Sequence, residues 1–229
     1  MTRLLALLLL LLALPTHAGW GMGTVGTGAT AGGGEGLGLT AASPTEMGTV
    51  TASAGDWLIV FATTIDSEAS TPTISAVSVA GGPTMTAAPT ANCSHSLISQ
   101  GIYIGRVTST LTDAAISVTA DGNQLSGSMA YVVTGSSRTS TADMIGVNTI
   151  LGSTTAHWVS RTPTVAGSLI LWSITIAEAP GDLNAVTGNT ILLTTTGRLD
   201  GTTGTSAVDV GMTTTNVISS CLSSIIVRP

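Results

Sequence analysis

Residues 57–62 read WLIVFA, an unbroken apolar run of strand length, as a core strand requires. Residues 74–79 (ISAVSV) alternate with period two and stop at Gly81-Gly82-Pro83. Residues 102–107 (IYIGRV) and 115–120 (AISVTA) predict two more strands, the second closed by the turn residues Asp121-Gly122-Asn123. Residues 129–133 form a short strand ending in Thr134-Gly135. The second half repeats the theme: 169–176 is apolar and β-branched, 190–196 is strand-like, 206–212 alternates, and 222–227 closes the chain. Amphipathic helical spacing is absent after residue 18. Many short strands with turns between them predict an all-β chain, an antiparallel sandwich or barrel.

Two parts of the chain echo each other. Ala54-Gly55-Asp56-Trp57-Leu58-Ile59 has a partial counterpart in Ala166-Gly167-Ser168-Leu169-Ile170-Leu171. Ser128-Met129-Ala130-Tyr131-Val132-Val133 likewise matches Leu222-Ser223-Ser224-Ile225-Ile226-Val227 in position and character. Each half opens and closes on a buried strand, as two Greek-key halves of one jelly roll of about eight strands would do. Two separate domains would give the same pattern. Halves so poor in aromatic residues would have thin cores, so one β-sandwich domain over residues 47–229 is expected.

The strand openings carry a family resemblance. Gly55-Asp56-Trp57-Leu58-Ile59-Val60, Ile74-Ser75-Ala76-Val77 and Ile102-Tyr103-Ile104-Gly105-Arg106-Val107 resemble the jelly-roll module of bacteriophage tail and virion proteins and of bacterial surface proteins. Ala166-Gly167-Ser168-Leu169-Ile170 and Ser223-Ser224-Ile225-Ile226-Val227-Arg228-Pro229 are similar to that module's second half, so the resemblance spans residues 50–229. Such modules often carry a tryptophan before the last strand, where this chain has Cys221-Leu222. The resemblance implies a structural or adhesive role and carries over no catalytic residue.

Ahead of the strands, Arg3 precedes an apolar run over residues 4–14. Pro15 breaks it, and Thr16-His17-Ala18 supplies small residues, the order of a secretory signal cut after Ala18. The run is shorter than the roughly 20 residues that span a bilayer. The alternative for residues 1–18 is a hydrophobic segment retained in an assembly. Residues 19–46 are glycine-rich and predict a flexible or extended arm, or a strand that docks on a neighbouring subunit. They lack the strand–GxGxxG–helix or GxxxxGK[ST] setting of a phosphate loop. Export lets Cys93 and Cys221, the only cysteines, pair as one disulfide; two separate buried thiols are the other reading.

Charge is sparse. Only 8% of residues are charged, against roughly 25% in an ordinary soluble domain, the net charge is −6, and there is no lysine. No basic stripe is available to follow a phosphate backbone, which argues against nucleic-acid binding. The mean hydropathy of +0.51 arises from apolar residues mixed with Thr, Ser and Gly after residue 18, not from membrane-length runs. A Thr/Ser surface with so little charge suits packing against copies of itself or a partner.

Catalytic patterns are thin. His17 leaves with the signal, and Cys93 with His95 falls short of the four ligands of a structural zinc. GxSxG is absent; Gly127-Ser128 and Gly167-Ser168 lack its frame. Asp66 with Glu68, and Glu178 with Asp182, read as solvated loop charge rather than a glycosidase pair. Asp121 stands without a calcium-loop series around it. Trp57 and Trp172 fall inside apolar strands, whereas Trp20 and Trp158 flank less regular sequence. His157, Trp158 and Arg161 are therefore the candidate ligand-binding residues, and no metal or other cofactor is expected. Asn92-Cys93-Ser94 also fits the N-glycosylation pattern.

The expected function is that of a non-enzymatic structural component of a virion or cell-surface assembly, partnered by copies of itself or by other assembly proteins. A secreted adhesin that binds a surface glycan or receptor is the alternative. A glycan hydrolase is the third class.

Overall fold

Strand β3 (Trp57–Asp66) buries both of its faces: Trp57, Ile59 and Phe61 enter one core, and Leu58, Val60 and Ala62 another. This double burial is why its sequence is continuously apolar rather than alternating. The computed structural model describes residues 38–41, 49–66, 71–88, 92–95, 97–121, 124–134, 144–176, 181–187, 189–193, 196–199 and 204–229. Within them the chain is all-β and antiparallel, with no helix. The expected signal, most of the expected arm, Glu68 and Glu178 lie outside the described residues.

Three sheets form. The first runs β1 (Gly38–Ala41), β9 (Gln124–Thr134), β3, β7 (Ile98–Arg106) and β5 (Thr86–Ala87), with β6 (Cys93–His95) also on β7. The second runs β10 (Met144–Arg161), β15 (Val208–Val227), β11 (Leu169–Ile176), β14 (Thr196–Leu199) and β13 (Asn189–Leu193), with β12 (Leu183–Ala185) also on β15. The third is β2 (Thr49–Ala52), β8 (Leu111–Ala120) and β4 (Ile74–Val79).

The sheets stack face to face. Val50, Val79, Leu111 and Ile116 of the third sheet meet Leu58, Val60 and Val132 of the first. The opposite face of the first sheet packs on the second, where Trp57, Phe61 and Tyr131 meet Leu169, Leu171 and Ile225. Phe61 and Tyr131 lie edge to face, 5.9 Å apart and at 87°. The outer face of the second sheet is covered by its own far strands: Val210 and Met212 of β15, with partly buried Leu183 of β12, pack on Ile170, Trp172 and Ile174. β10 and β15 reach both layers because they bend at register shifts between Leu151 and Thr154 and between Thr154 and Ala156.

The two halves of the chain build the same sheet twice. Ranked along the chain, the main path of each larger sheet runs first, last, second, fourth, third. The registers agree as well: Trp57 pairs with Val133 and Leu169 with Val227, then Ile59 with Tyr131 and Leu171 with Ile225. Gly55 (φ 98°) and Gly167 (φ 82°) make left-handed turns just before β3 and β11, a conformation glycine reaches without a Cβ clash. Asp56 Oδ2 accepts from the Ser53 N–H (2.8 Å), and Ser168 Oγ donates to the Val165 carbonyl (2.7 Å), so each turn is fastened by the residue after its glycine.

Two expected boundaries change. The strands expected over 206–212 and 222–227 are the ends of one strand, β15, and the segment 190–196 divides between β13 and β14.

Candidate functional site

The candidate residues His157, Trp158 and Arg161 lie on β10, where successive side chains point to opposite faces. His157 and Arg161 therefore turn inward and are buried, while Trp158 turns outward and is 41% exposed. The three do not share one surface. Arg161 donates to the Ile145 carbonyl (2.7 Å) at the other end of the same strand, and burial pulls its guanidinium below the ordinary value. Trp57 and Trp172, the other described tryptophans, are buried in separate cores.

His157 forms a closed hydrogen-bonded chain. The Thr214 hydroxyl donates to the Asn216 carbonyl (2.7 Å) and so receives the imidazole Nε2–H (3.2 Å). Nδ1 is left to accept from the Ser220 hydroxyl (2.7 Å). A serine beside a histidine is the pairing of a nucleophile and base. Here both are fully buried, and the third group is a threonine, so the chain fastens the bend of β15 instead. Burial holds the imidazole below its ordinary value of 6.5, against a backbone hydrogen bond at Thr154 that acts the other way.

A polar seam crosses the core between the two larger sheets. Thr63 Oγ1 and Thr175 Oγ1 are 2.7 Å apart. With its amide oxygen toward Ser173 Oγ (2.7 Å) and Thr175 Oγ1 (3.1 Å), Gln100 donates to the Cys221 carbonyl (2.8 Å) and the Ser173 carbonyl (3.2 Å). Gln100, Ser173 and Thr175 are buried and Thr63 is half-buried, and each finds a partner, so the seam costs no orphaned dipole. Beside it Cys93 of β6 and Cys221 of β15 form a disulfide, with Cα atoms 5.7 Å apart, that joins the two sheets. Cys93 is thus committed to sulfur and not offered to a metal with His95. No group of three His, Cys, Asp or Glu side chains able to hold a metal occurs among the described residues.

One open surface feature among the described residues is a groove of about 630 Å³ between β4 and the segment that carries β5. Its origin is in the sequence of β7. Gly101, Tyr103 and Gly105 alternate on one face of that strand, with Ile102 and Ile104 on the other, in the core. A Cβ on Gly101 would collide with Asn92 Oδ1, and one on Gly105 would press on Met85 and Pro83. The two glycines therefore let Asn92 and the 83–88 segment settle against the sheet. Tyr103 Oη (3.3 Å) and Asn92 Nδ2 (3.1 Å) both donate to the Ile74 carbonyl, holding β4 over the groove. The lining includes Ser75, Val77, Met85 and Thr86 and, among the described residues, contains no charged side chain.

The sequence reading passed over Asn92, Tyr103 and the flanking glycines as site residues. The available signal was the Gly-x-Tyr-x-Gly spacing over residues 101–105, which places three small or hydrogen-bonding positions on one strand face. Neutral hydroxyl, amide and aliphatic groups beside a strand edge suit an extended polypeptide. No known protein family, no curated protein and no solved structure matches the chain.

Proposed function

We propose that the chain is a structural building block of an exported assembly, at a cell surface or in a virion, made of two jelly rolls packed back to back. The observation that carries this reading is the single core in which two sheets of identical strand order meet. That union turns the third sheet and the far strands of β10, β12 and β15 outward on opposite sides, the arrangement of a rigid unit with two working faces.

The jelly-roll assignment draws on strand order. Counting β5 and β6 as one position, the first half places its first, eighth, third and sixth strands in one sheet and its second, seventh and fourth in the facing one. This is the interleaving that two Greek keys produce. The fifth position departs from the pattern, because β5 and β6 pair with β7 rather than with β4. An inter-sheet disulfide is in keeping with an oxidising compartment, and a chain with only 8% charged residues is in keeping with extensive packing.

Electron microscopy of the concentrated native protein tests the reading. Regular particles or filaments are expected. A field of separate molecules that bind immobilised glycans through Trp158 would replace it with the adhesin reading.

A further inference from the structure

We infer that two copies of the chain join edge to edge through β10, pairing antiparallel about a twofold axis at Val159, so that the second sheet runs on from one copy into the other. This rests on the assembly reading above and names one of its contacts.

β10 is an end strand of the second sheet, and among the described residues no strand pairs with its other side. Its neighbour shows which main-chain groups face that side. On β15 the Gly211 carbonyl accepts from the Val186 N–H (3.3 Å), and the Gly211 N–H donates to Asn189 Oδ1 (3.4 Å). The Asp209 carbonyl accepts from Asn189 Nδ2 (2.9 Å). Gly211 and Asp209 thus turn their main chain away from β10. Trp158 and Ser160 lie directly opposite them, and in an antiparallel ladder the groups of such pairs point apart. The N–H and C=O of Trp158 and Ser160 therefore face the open side. The Ala156 N–H, next in the same phase, is taken by Thr154 Oγ1 (3.0 Å), which ends the open stretch at the bend.

An edge of this kind accepts a further strand unless something blunts it. Residues 144–160 contain no proline, lysine, arginine or carboxylate. Trp158 is 41% exposed on this stretch, and Gly211 across from it has no side chain to cover the indole. A Cβ on Gly211 would collide with the His157 carbonyl, so the position is held bare.

A second copy fits because the open stretch is complementary to itself. With Trp158 set against Ser160 of the partner subunit, the twofold axis sets Ser160 against Trp158 of the partner subunit, and both pairs exchange their two main-chain bonds. Ser160 is small and exposed, leaving room for the indole, and the two Trp158 rings become diagonal neighbours within reach of each other. Asp209 stands on the far side of Ser160, so both β10 strands separate the two carboxylates. On the inner face Arg161 falls opposite His157 of the partner subunit. Each is already bonded within its own chain, Arg161 to the Ile145 carbonyl and His157 to Ser220 and Thr214. Setting Trp158 against its own copy would instead place Ser160 against Ala156, whose N–H is already used.

Two measurements on the full chain test the inference. Ser160→Pro removes an N–H that the β10–β15 ladder does not use, whereas Ser160→Ala keeps it. In analytical ultracentrifugation Ser160→Ala should pair like the parent, and Ser160→Pro should pair about tenfold more weakly or less still. Trp158→Lys, which sets like charges beside each other, replaces Ser160→Pro should that variant fail to fold. Cysteines read the register. Oxidation of a mixture of Trp158→Cys and Ser160→Cys chains should give dimers with one chain of each kind, their Cα atoms being about 5.5 Å apart. Either variant alone holds its cysteines about 7 to 8 Å apart, too far for a disulfide. Cross-links that form as readily within one variant overturn the inference, as does a single-chain mass for the parent or undiminished pairing in Ser160→Pro. Larger native assemblies that survive Ser160→Pro unchanged refute this contact and leave the assembly reading standing. A protein that pairs through β10 and builds nothing larger refutes the assembly reading alone.

Discussion

Thr63 and Thr175 hold equivalent places in the two halves of the chain, 112 residues apart, and their hydroxyls meet at 2.7 Å. Each lies six residues beyond the first residue of its strand, β3 or β11. Contact between equivalent residues is what a twofold relation between two sheets produces at its axis. The hydroxyl of Thr175 shares a hydrogen bond with Thr63 and also lies 3.1 Å from the Gln100 amide oxygen, so the contact also anchors the seam.

Thr63→Val and Thr175→Val should each cost about 1 to 2 kcal/mol, because each leaves a buried polar partner short of a hydrogen bond. The double variant should cost less than the sum. A double-mutant cycle by urea unfolding checks this, and strict additivity would show that the two hydroxyls do not interact.

The Cys93–Cys221 disulfide closes a loop of 128 residues across the shared core. Chain-entropy arguments assign a loop of this size a stabilisation of about 5 kcal/mol. Reduction should therefore shift the denaturation midpoint strongly downward. A midpoint unchanged by reductant would mean that the cysteines do not hold the halves together.

His157 makes stability depend on pH. Its folded-state value lies below 6.5, so between the two values the unfolded chain binds more protons than the folded one. The contribution is fully present above pH 6.5 and is lost as the pH falls through the folded value. The melting temperature should be flat above neutrality and decline below pH 6.5, and His157→Gln should flatten that decline. An identical acid limb in the variant would assign it to other groups.

Gly101→Ala places a methyl group against Asn92 Oδ1 and should displace the amide from the Ile74 carbonyl. A cost of about 1 to 3 kcal/mol is expected for such overpacking. The companion change Asn92→Ala should restore part of it. Additive losses in the pair would place the strain elsewhere.

The strands that were legible in the sequence are those with a simple burial rule. β3 and β11 are buried on both faces and read as apolar and β-branched runs, and β4 alternates from Val77 onward, past a register shift between Ile74 and Ala76. β10 was not legible, although it has 18 residues. Its inward positions include Leu151, His157 and Val159, with the bend at Thr154 between them, so no single period fits the strand. That same broken phase hid the fact that His157 and Arg161 face inward while Trp158 faces out. The groove was illegible for a different reason. It is made by which sheet β5 and β6 join, a tertiary choice that strands of two and three residues do not announce in their sequence.

The account stands or falls on self-association. The mass of the full chain in solution, measured by light scattering over a dilution series, tests this most directly. The prediction is a mass that is a multiple of the 22.7 kDa chain and grows with concentration, as assembly from copies of the chain requires. A constant mass of a single chain at every concentration would contradict it.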